Sequence, residues 1–363
     1  MPGFVDSHTH LLFPPPGGAP DRDADAPAAG PDNAARRVSA TTGQRLEARA
    51  RVYLDAMARH GTTTLEAKTG CGLDECAEFK VLRVAAALNG DPLDIVPTFL
   101  FRMPAPAHGR PGHAEIQGVL GDLLPKIRRR RLAAFVDLAW DANPANRACF
   151  ARYLETARSL GFGCKIHADR PGCAAAITLA IEHLAVSIDH LEFATPGEAA
   201  LLAGSSTMAT VLPSASFSKG GCQAPARGLI DAGVPVVLAT NFNVDHCPTL
   251  NMQAVIALAC IRMGMTAAEA ISAATINGAH ALGCAHLIGS LEPGKSADLL
   301  ILNVHDYREL GHHFGTNLVR LTMKRGRSIY KEGAVVTRTA KELAPVRGVP
   351  PPAAEDSPVR RRY

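Results

Sequence analysis

The chain has 363 residues, of which 47% are hydrophobic and 20% charged, with a net charge of +4. That is enough apolar mass for a sizeable core, which excludes a disordered chain. No apolar run reaches the ~18 to 20 residues of a membrane-spanning helix. Aromatic residues are only 5%, and the basic residues are scattered except at Arg128–Arg131 and Arg360–Arg362. Nucleic-acid binding calls for a basic stripe with interleaved aromatics. The expected partner is therefore a small molecule, with neither nucleic acid nor membrane.

Short β-branched runs alternate with helical patterns. The expected strands are Gly3–His8, Thr62–Ala67, Leu93–Leu100, Ala133–Trp140, Gly163–Ala168, Ser187–Leu191, Met208–Pro213 and Val234–Thr240. Between them the spacing predicts helices over Gly43–Arg59, Glu75–Asn89, His113–Arg129, Arg147–Leu160, Pro171–His183, Pro196–Ala203 and Cys222–Ala232. Gly61, Gly161 and Gly233 stand where helices should stop. Eight such units predict a closed (β/α)8 barrel over residues 1–287. The Pro/Gly-rich stretch Pro14–Asn33 reads as a loop after the first strand. Residues 288–340 carry strand-like stretches (Asp298–Leu302, Leu318–Lys324, Ile329–Tyr330 and Ala334–Val336) and read as a small β subdomain, and 341–363 as a disordered tail.

Nine cysteines, at 71, 76, 149, 164, 173, 222, 247, 260 and 284, are odd in number and irregularly spaced, with no CxxC. That pattern is one of free thiols in a reducing cytoplasm. The opening MPGFVDSHTH has no charged segment followed by an apolar stretch, so a cytoplasmic location is expected.

In such a barrel the chemistry lies at the C-terminal strand ends. The first strand ends in His8-Thr9-His10, and residues i and i+2 of a strand face the same way. The fifth ends in Lys165-Ile166-His167-Ala168-Asp169 and the sixth in Asp189-His190-Leu191. Each histidine alone would be an ordinary packed residue. Four at the ends of three strands of one barrel point to a metal site, because neutral imidazole is the commonest metal ligand. One divalent ion per chain, Zn²⁺ or Fe²⁺, suits such a set.

The stretches PGFVDSHTHLLF (2–13), HGTTTLEAKTGCGL (60–73), GCKIHAD (163–169), DHLEFA (189–194) and GSLEPGKSADLLIL (289–302) resemble the amidohydrolase superfamily, and within it the imidazolonepropionases. The resemblance runs in order over nearly the whole chain. It implies an amidohydrolase-type barrel with a small β-sandwich, of which the N-terminal half is missing here. It also implies that His8, His10 and His167 are metal ligands and that His190 contacts the metal or its activated water. The implied chemistry is attack of that water on a ring carbonyl, with a carboxylate at the end of strand eight taking the proton.

That carboxylate is replaced. The family reads ATDFN where this chain reads Ala239-Thr240-Asn241-Phe242-Asn243, and an amide has no basic site near neutral pH. Arg170 stands in place of a carboxylate, Cys71 in place of a tyrosine, and Met103, preceded by Arg102, in place of a histidine. His190, Asn241 and Asp245 are the catalytic candidates, with Asp169 a further possible base. Arg102, Trp140, Arg170, Cys71 and Ser214 are the substrate-binding candidates. Glu66 and Lys68 read as an ion pair under the site, and His312 and His313 as non-catalytic. A homodimer is the expected assembly. The expected activity is metal-dependent hydrolysis of a small cyclic amide or related C–N bond, on a substrate changed from that of the resembling enzymes. Two alternatives stay open: a mononuclear iron enzyme using O₂ on a small heterocycle, and a catalytically inactive homologue.

Overall fold

A computed structural model describes residues 1–15, 31–70, 74–103 and 113–333. Eight strands follow one another around a single sheet: β1 (Phe4–Asp6), β2 (Thr62–Lys68), β3 (Asp94–Arg102), β4 (Phe135–Ala139), β5 (Gly163–Ala168), β6 (Ser187–His190), β7 (Met208–Val211) and β8 (Val236–Leu238). Every neighbouring pair is parallel. The sheet closes just beyond its last strand. The Asn241 amide donates to the His8 carbonyl at 3.0 Å and the His10 amide to the Phe242 carbonyl at 2.8 Å. All eight expected strands are present, as the (β/α)8 reading requires.

The helices form the outer layer. They are α1 (Pro31–Ala40), α2 (Gly43–Arg59), α3 (Glu75–Leu88), α4 (His113–Gly118), α5 (Leu124–Arg129), α6 (Arg147–Ser159), α7 (Ala174–Glu182), α8 (Pro196–Ala203), α9 (Pro213–Lys219), α10 (Ala226–Asp231), α11 (Met252–Met263), α12 (Ala267–Ala273) and α13 (Ile276–Ala281). Gly61, Gly161 and Gly233 follow helix ends with φ of 95°, 80° and 89°, the left-handed backbone that glycine adopts without steric cost. At Gly278 the need is contact: a Cβ there would lie 2.7 Å from the Val5 carbonyl oxygen, so only glycine lets α13 meet β1.

Two expectations change. The loop predicted over Pro14–Asn33 gives way to helix from Pro31, and a short helix, α9, follows β7 directly. Proline at the first helical position explains both starts, since its fixed φ suits a first turn. A three-stranded antiparallel sheet, in the order β11 (Arg327–Lys331), β10 (Val319–Lys324) and β9 (Leu299–Leu302), forms the small β unit. Met1–Gly3 runs alongside β9, where the Leu300 amide donates to the Met1 carbonyl at 2.8 Å. Ala334–Val336 and the tail from 341 lie outside the described residues. Among the described residues no helix is long and apolar enough to cross a membrane.

Candidate metal centre

Strand alternation builds the barrel interior in levels. On β1 and its continuation, Asp6, His8 and His10 share the inward face. Asp6 accepts from the Thr240 amide at 3.0 Å and hydroxyl at 2.6 Å. On β2 the inward residues are Glu66 and Lys68, on β4 Asp137, on β5 Lys165 and His167, and on β6 Asp189.

The lower level is a closed charge network. Lys68 Nζ lies 2.8 Å from Asp137, 3.1 Å from Glu66 and 3.1 Å from Asp189. Lys165 Nζ lies 2.9 Å from Glu66, and Thr98 donates to Glu66 at 2.5 Å. All five charged side chains are fully buried. Burial alone would lower the Lys68 pKa. The carboxylates of Asp137, Glu66 and Asp189 outweigh it and hold the ammonium protonated. The expected Glu66–Lys68 ion pair is therefore part of a larger set.

The upper level is histidine. His8 Nδ1 bonds Asp189 Oδ2 at 2.7 Å. That contact orients the ring and leaves Nε2 buried without a partner. On β6 simple alternation fails. With Asp189 facing in, His190 should face out. Instead His190 has φ 85° and Leu191 φ 63°, a left-handed backbone that costs a non-glycine residue about 1–3 kcal/mol. The turn brings the His190 ring to 4.2 Å from His167, with Nδ1 3.0 Å from Glu192 Oε1 and Nε2 buried and unpartnered. His167 Nδ1 is likewise without a hydrogen bond.

His8, His167 and His190 each offer a nitrogen, all three within 4.8 Å of one another. His10 stands outside this triad, its ring 5.4 Å from that of His8 and 6.2 Å from that of His167. Burial pushes the His8, His10 and His167 rings well below the ordinary imidazole value, so they are neutral at pH 7, as ligation requires. A buried ring nitrogen with no acceptor or donor costs about 1–3 kcal/mol. One nitrogen from each of the three rings within 4.8 Å of the others fits a cation, and neutral imidazoles fit a borderline divalent metal better than Ca²⁺ or Mg²⁺.

The remaining candidates fall in different places. Asn241 is buried at the barrel seam with φ 53°, a conformation asparagine tolerates. Asp169 follows His167 at the mouth. Burial would raise its pKa, but His167, His190 and Arg102 together hold the carboxyl below its ordinary value. Asp245 sits in the loop after β8, its Oδ2 ion-paired with Arg37 of α1. Ser214, the second residue of α9, has its hydroxyl buried and unpartnered. Trp140 turns away from the interior. It packs on Phe150 of α6 with ring centroids 5.6 Å apart and is 3% exposed, because the inward position on β4 after Asp137 belongs to Ala139. Arg102 is half-buried at the end of β3 and Arg170 is exposed after β5. His312 and His313 are exposed, away from the barrel interior. Cys71 lies outside the described residues.

Sequence reasoning missed Glu192 and Arg37. Glu192 stands two residues after His190 in DHLEFA, a spacing that carries weight only once the turn at His190 is known. Arg37 becomes visible only with the helix after Pro31.

Residues 152–329 match the profile of the Amidohydrolase family. The imidazolonepropionase of Geobacillus kaustophilus is 38% identical over 348 residues, which cover 92% of this chain and 81% of that protein. The imidazolonepropionase of Porphyromonas gingivalis (strain ATCC BAA-308 / W83) is 38% identical over 345 residues, covering 91% and 81%. Among solved structures, a 5-methylcytosine deaminase from Klebsiella pneumoniae superposes with a TM-score of 0.74 at 16% identity, covering 93% of this chain and 88% of that one. An adenosine deaminase from Xanthomonas campestris with bound zinc gives 0.66 at 20% identity, covering 94% and 83%. The chain belongs to the amidohydrolase family and is homologous to the imidazolonepropionases.

Proposed function

We propose that the protein is a metal-dependent hydrolase that opens a C–N bond in a small cyclic amide or related heterocycle. The observation that carries this reading is the grouping of three buried imidazoles, His8, His167 and His190, each offering a nitrogen within 4.8 Å of the others, at the C-terminal mouth of the barrel. A divalent ion bound by them would supply a water acidified towards neutral pKa and would polarise a carbonyl. Zinc is favoured by analogy with the zinc-bound deaminase of the same fold.

The chain's own residues do the rest. Asp189 fixes the His8 ring and Glu192 the His190 ring, each through Nδ1. Asn241 cannot take a proton, so its place at the seam is one of hydrogen bonding. Asp169 is the proton acceptor in this reading. It stays ionised, and its charge acts on His167. Asp245 is engaged by Arg37 and ties α1 to the loop after β8. The substrate is changed from that of the imidazolonepropionases, since Arg102, Met103 and Arg170 alter the mouth.

The test is a panel of five- and six-membered cyclic amides and cyclic ureas with zinc-loaded protein, read by loss of ring absorbance and by product mass. Ring opening of at least one class, abolished by chelation, is expected. No turnover across the panel would count against hydrolysis. Copurified iron with oxygen uptake would favour the oxidative alternative, which the missing strand-eight carboxylate keeps open.

A further inference from the structure

The ring of strands has one junction unlike the rest. Seven neighbouring pairs are laddered over three to five residue pairs each. Between β8 and β1 the described residues give a single isolated bridge, Thr9 to Phe242. Two backbone hydrogen bonds and the contact of Asp6 with Thr240 link the two sides there. Yet this seam carries His8 and His10 on one side and Asn241 on the other. A junction with few hydrogen bonds opens locally at lower cost than a full ladder.

Arg37 crosses the seam beyond the strand ends. Its Nε donates to the Pro14 carbonyl at 2.9 Å, and its Nη2 pairs with the Asp245 carboxylate. Pro14 stands four residues after His10 in the continuation of β1, and Asp245 four residues after Asn241 in that of β8. One guanidinium therefore joins the two continuations that no ladder joins.

Both arms are tied back to the seam. On the β1 side the Phe13 amide donates to the His10 carbonyl at 3.3 Å. On the β8 side Asn243 and Cys247 exchange two backbone hydrogen bonds of 2.9 Å, and the Asp245 amide donates to Asn243 Oδ1 at 2.9 Å. Cys247 Sγ donates to the Thr240 carbonyl at 3.3 Å. The helix that carries Arg37 is held without this pair. Val38 is buried beside Leu11, Leu12 and Phe13, and Lys80 Nζ of α3 donates to the Val38, Ser39 and Thr41 carbonyls. The Arg37 and Asp245 side chains are only 19% and 5% exposed, so bulk salt screens their contact little.

We propose that Arg37 and Asp245 are positioning residues, a clasp that holds the ends of β1 and β8 together and so sets where His8 and His10 stand against Asn241. The positioning role rests on the metal-dependent reading above, whereas the clasp itself needs no ion.

Amide exchange followed by mass spectrometry tests the clasp on full-length, metal-free R37M and D245N. Peptides covering 8–13 and 240–247 should exchange about ten- to a hundredfold faster than in the native protein, the size of a charge-assisted hydrogen bond. Peptides of the laddered β4–β5 junction should keep their native rates. R37K retains the charge without the forked donors and should lie between. Cobalt(II) added to the same proteins reports on the site, because its visible bands follow the geometry of its ligands. The bands should shift in R37M and D245N and return towards native in R37K. Native exchange at the seam, faster exchange confined to α1, or an equal rise at every junction overturns the clasp. A loosened seam with unchanged cobalt bands overturns the positioning role. If the native protein binds no cobalt, the metal reading falls, and exchange alone still decides whether the seam is clasped.

Discussion

Two adjacent levels of the same barrel interior are built on opposite terms. In the lower one Lys68 and Lys165 meet Glu66, Asp137 and Asp189, and every charge has an opposite within about 3 Å. One level up, His8, His167 and His190 converge with three ring nitrogens left unpartnered. The lower level pairs each of its charges within the barrel. The upper level instead groups neutral imidazoles that could hold a metal ion. Asp189 joins them, because one of its oxygens lies against both Lys68 and the His8 ring.

Breaking the lower level should give the largest loss of stability. Lys68→Met leaves three buried carboxylates with one cation fewer and should cost about 3–5 kcal/mol of unfolding free energy, measured by urea titration of metal-free protein. His167→Gln, one level up, should change metal-free stability by less than about 1 kcal/mol, since its Nδ1 makes no hydrogen bond to lose. Equal losses in the two variants would erase the distinction between the levels.

Within the upper level, Asp169→Asn removes the proposed proton acceptor and should lower kcat by about 10²–10⁴-fold with metal content unchanged. A loss of metal in that variant would make Asp169 a ligand rather than a base. Asp189→Asn touches both levels at once. It should weaken metal binding by about 10–100-fold, seen by competition with a chelator, and lower metal-free stability as well.

The pH dependence has two signs. His8, His10 and His167 are held well below 6.5 by burial, so the unfolded chain takes up protons below that value and the folded chain does not. Stability of the metal-free protein should therefore fall as pH drops through 6.5. Asp6 opposes this. Burial raises its pKa from 3.8 to about 7, so its contribution is greatest below 3.8 and is lost as pH rises through 7. Asp6→Asn should make the acid-side fall in thermal midpoint steeper, and a shallower fall would show that Asp6 is ionised in the fold.

Much of this was legible in the sequence because it follows from alternation. The period of two places Asp6, His8 and His10 on one face and Glu66 with Lys68 on another, and it finds all eight strands. The same rule hides the rest. At β6 it sends His190 outward, and only the left-handed backbone at His190 and Leu191 brings the ring back. Trp140 stands one residue past the inward position and packs on Phe150. Arg37 with Asp245 and Lys68 with Asp137 join residues 208 and 69 apart in the chain, and no local pattern records such pairs.

The most direct test of the central claim is the metal content of untagged protein, purified without added metal, by plasma mass spectrometry alongside His167→Gln. Close to one divalent ion per native chain and little in the variant are expected, with both proteins folded. Little or no metal in the native protein even after reloading, or equal metal in the two, would contradict it.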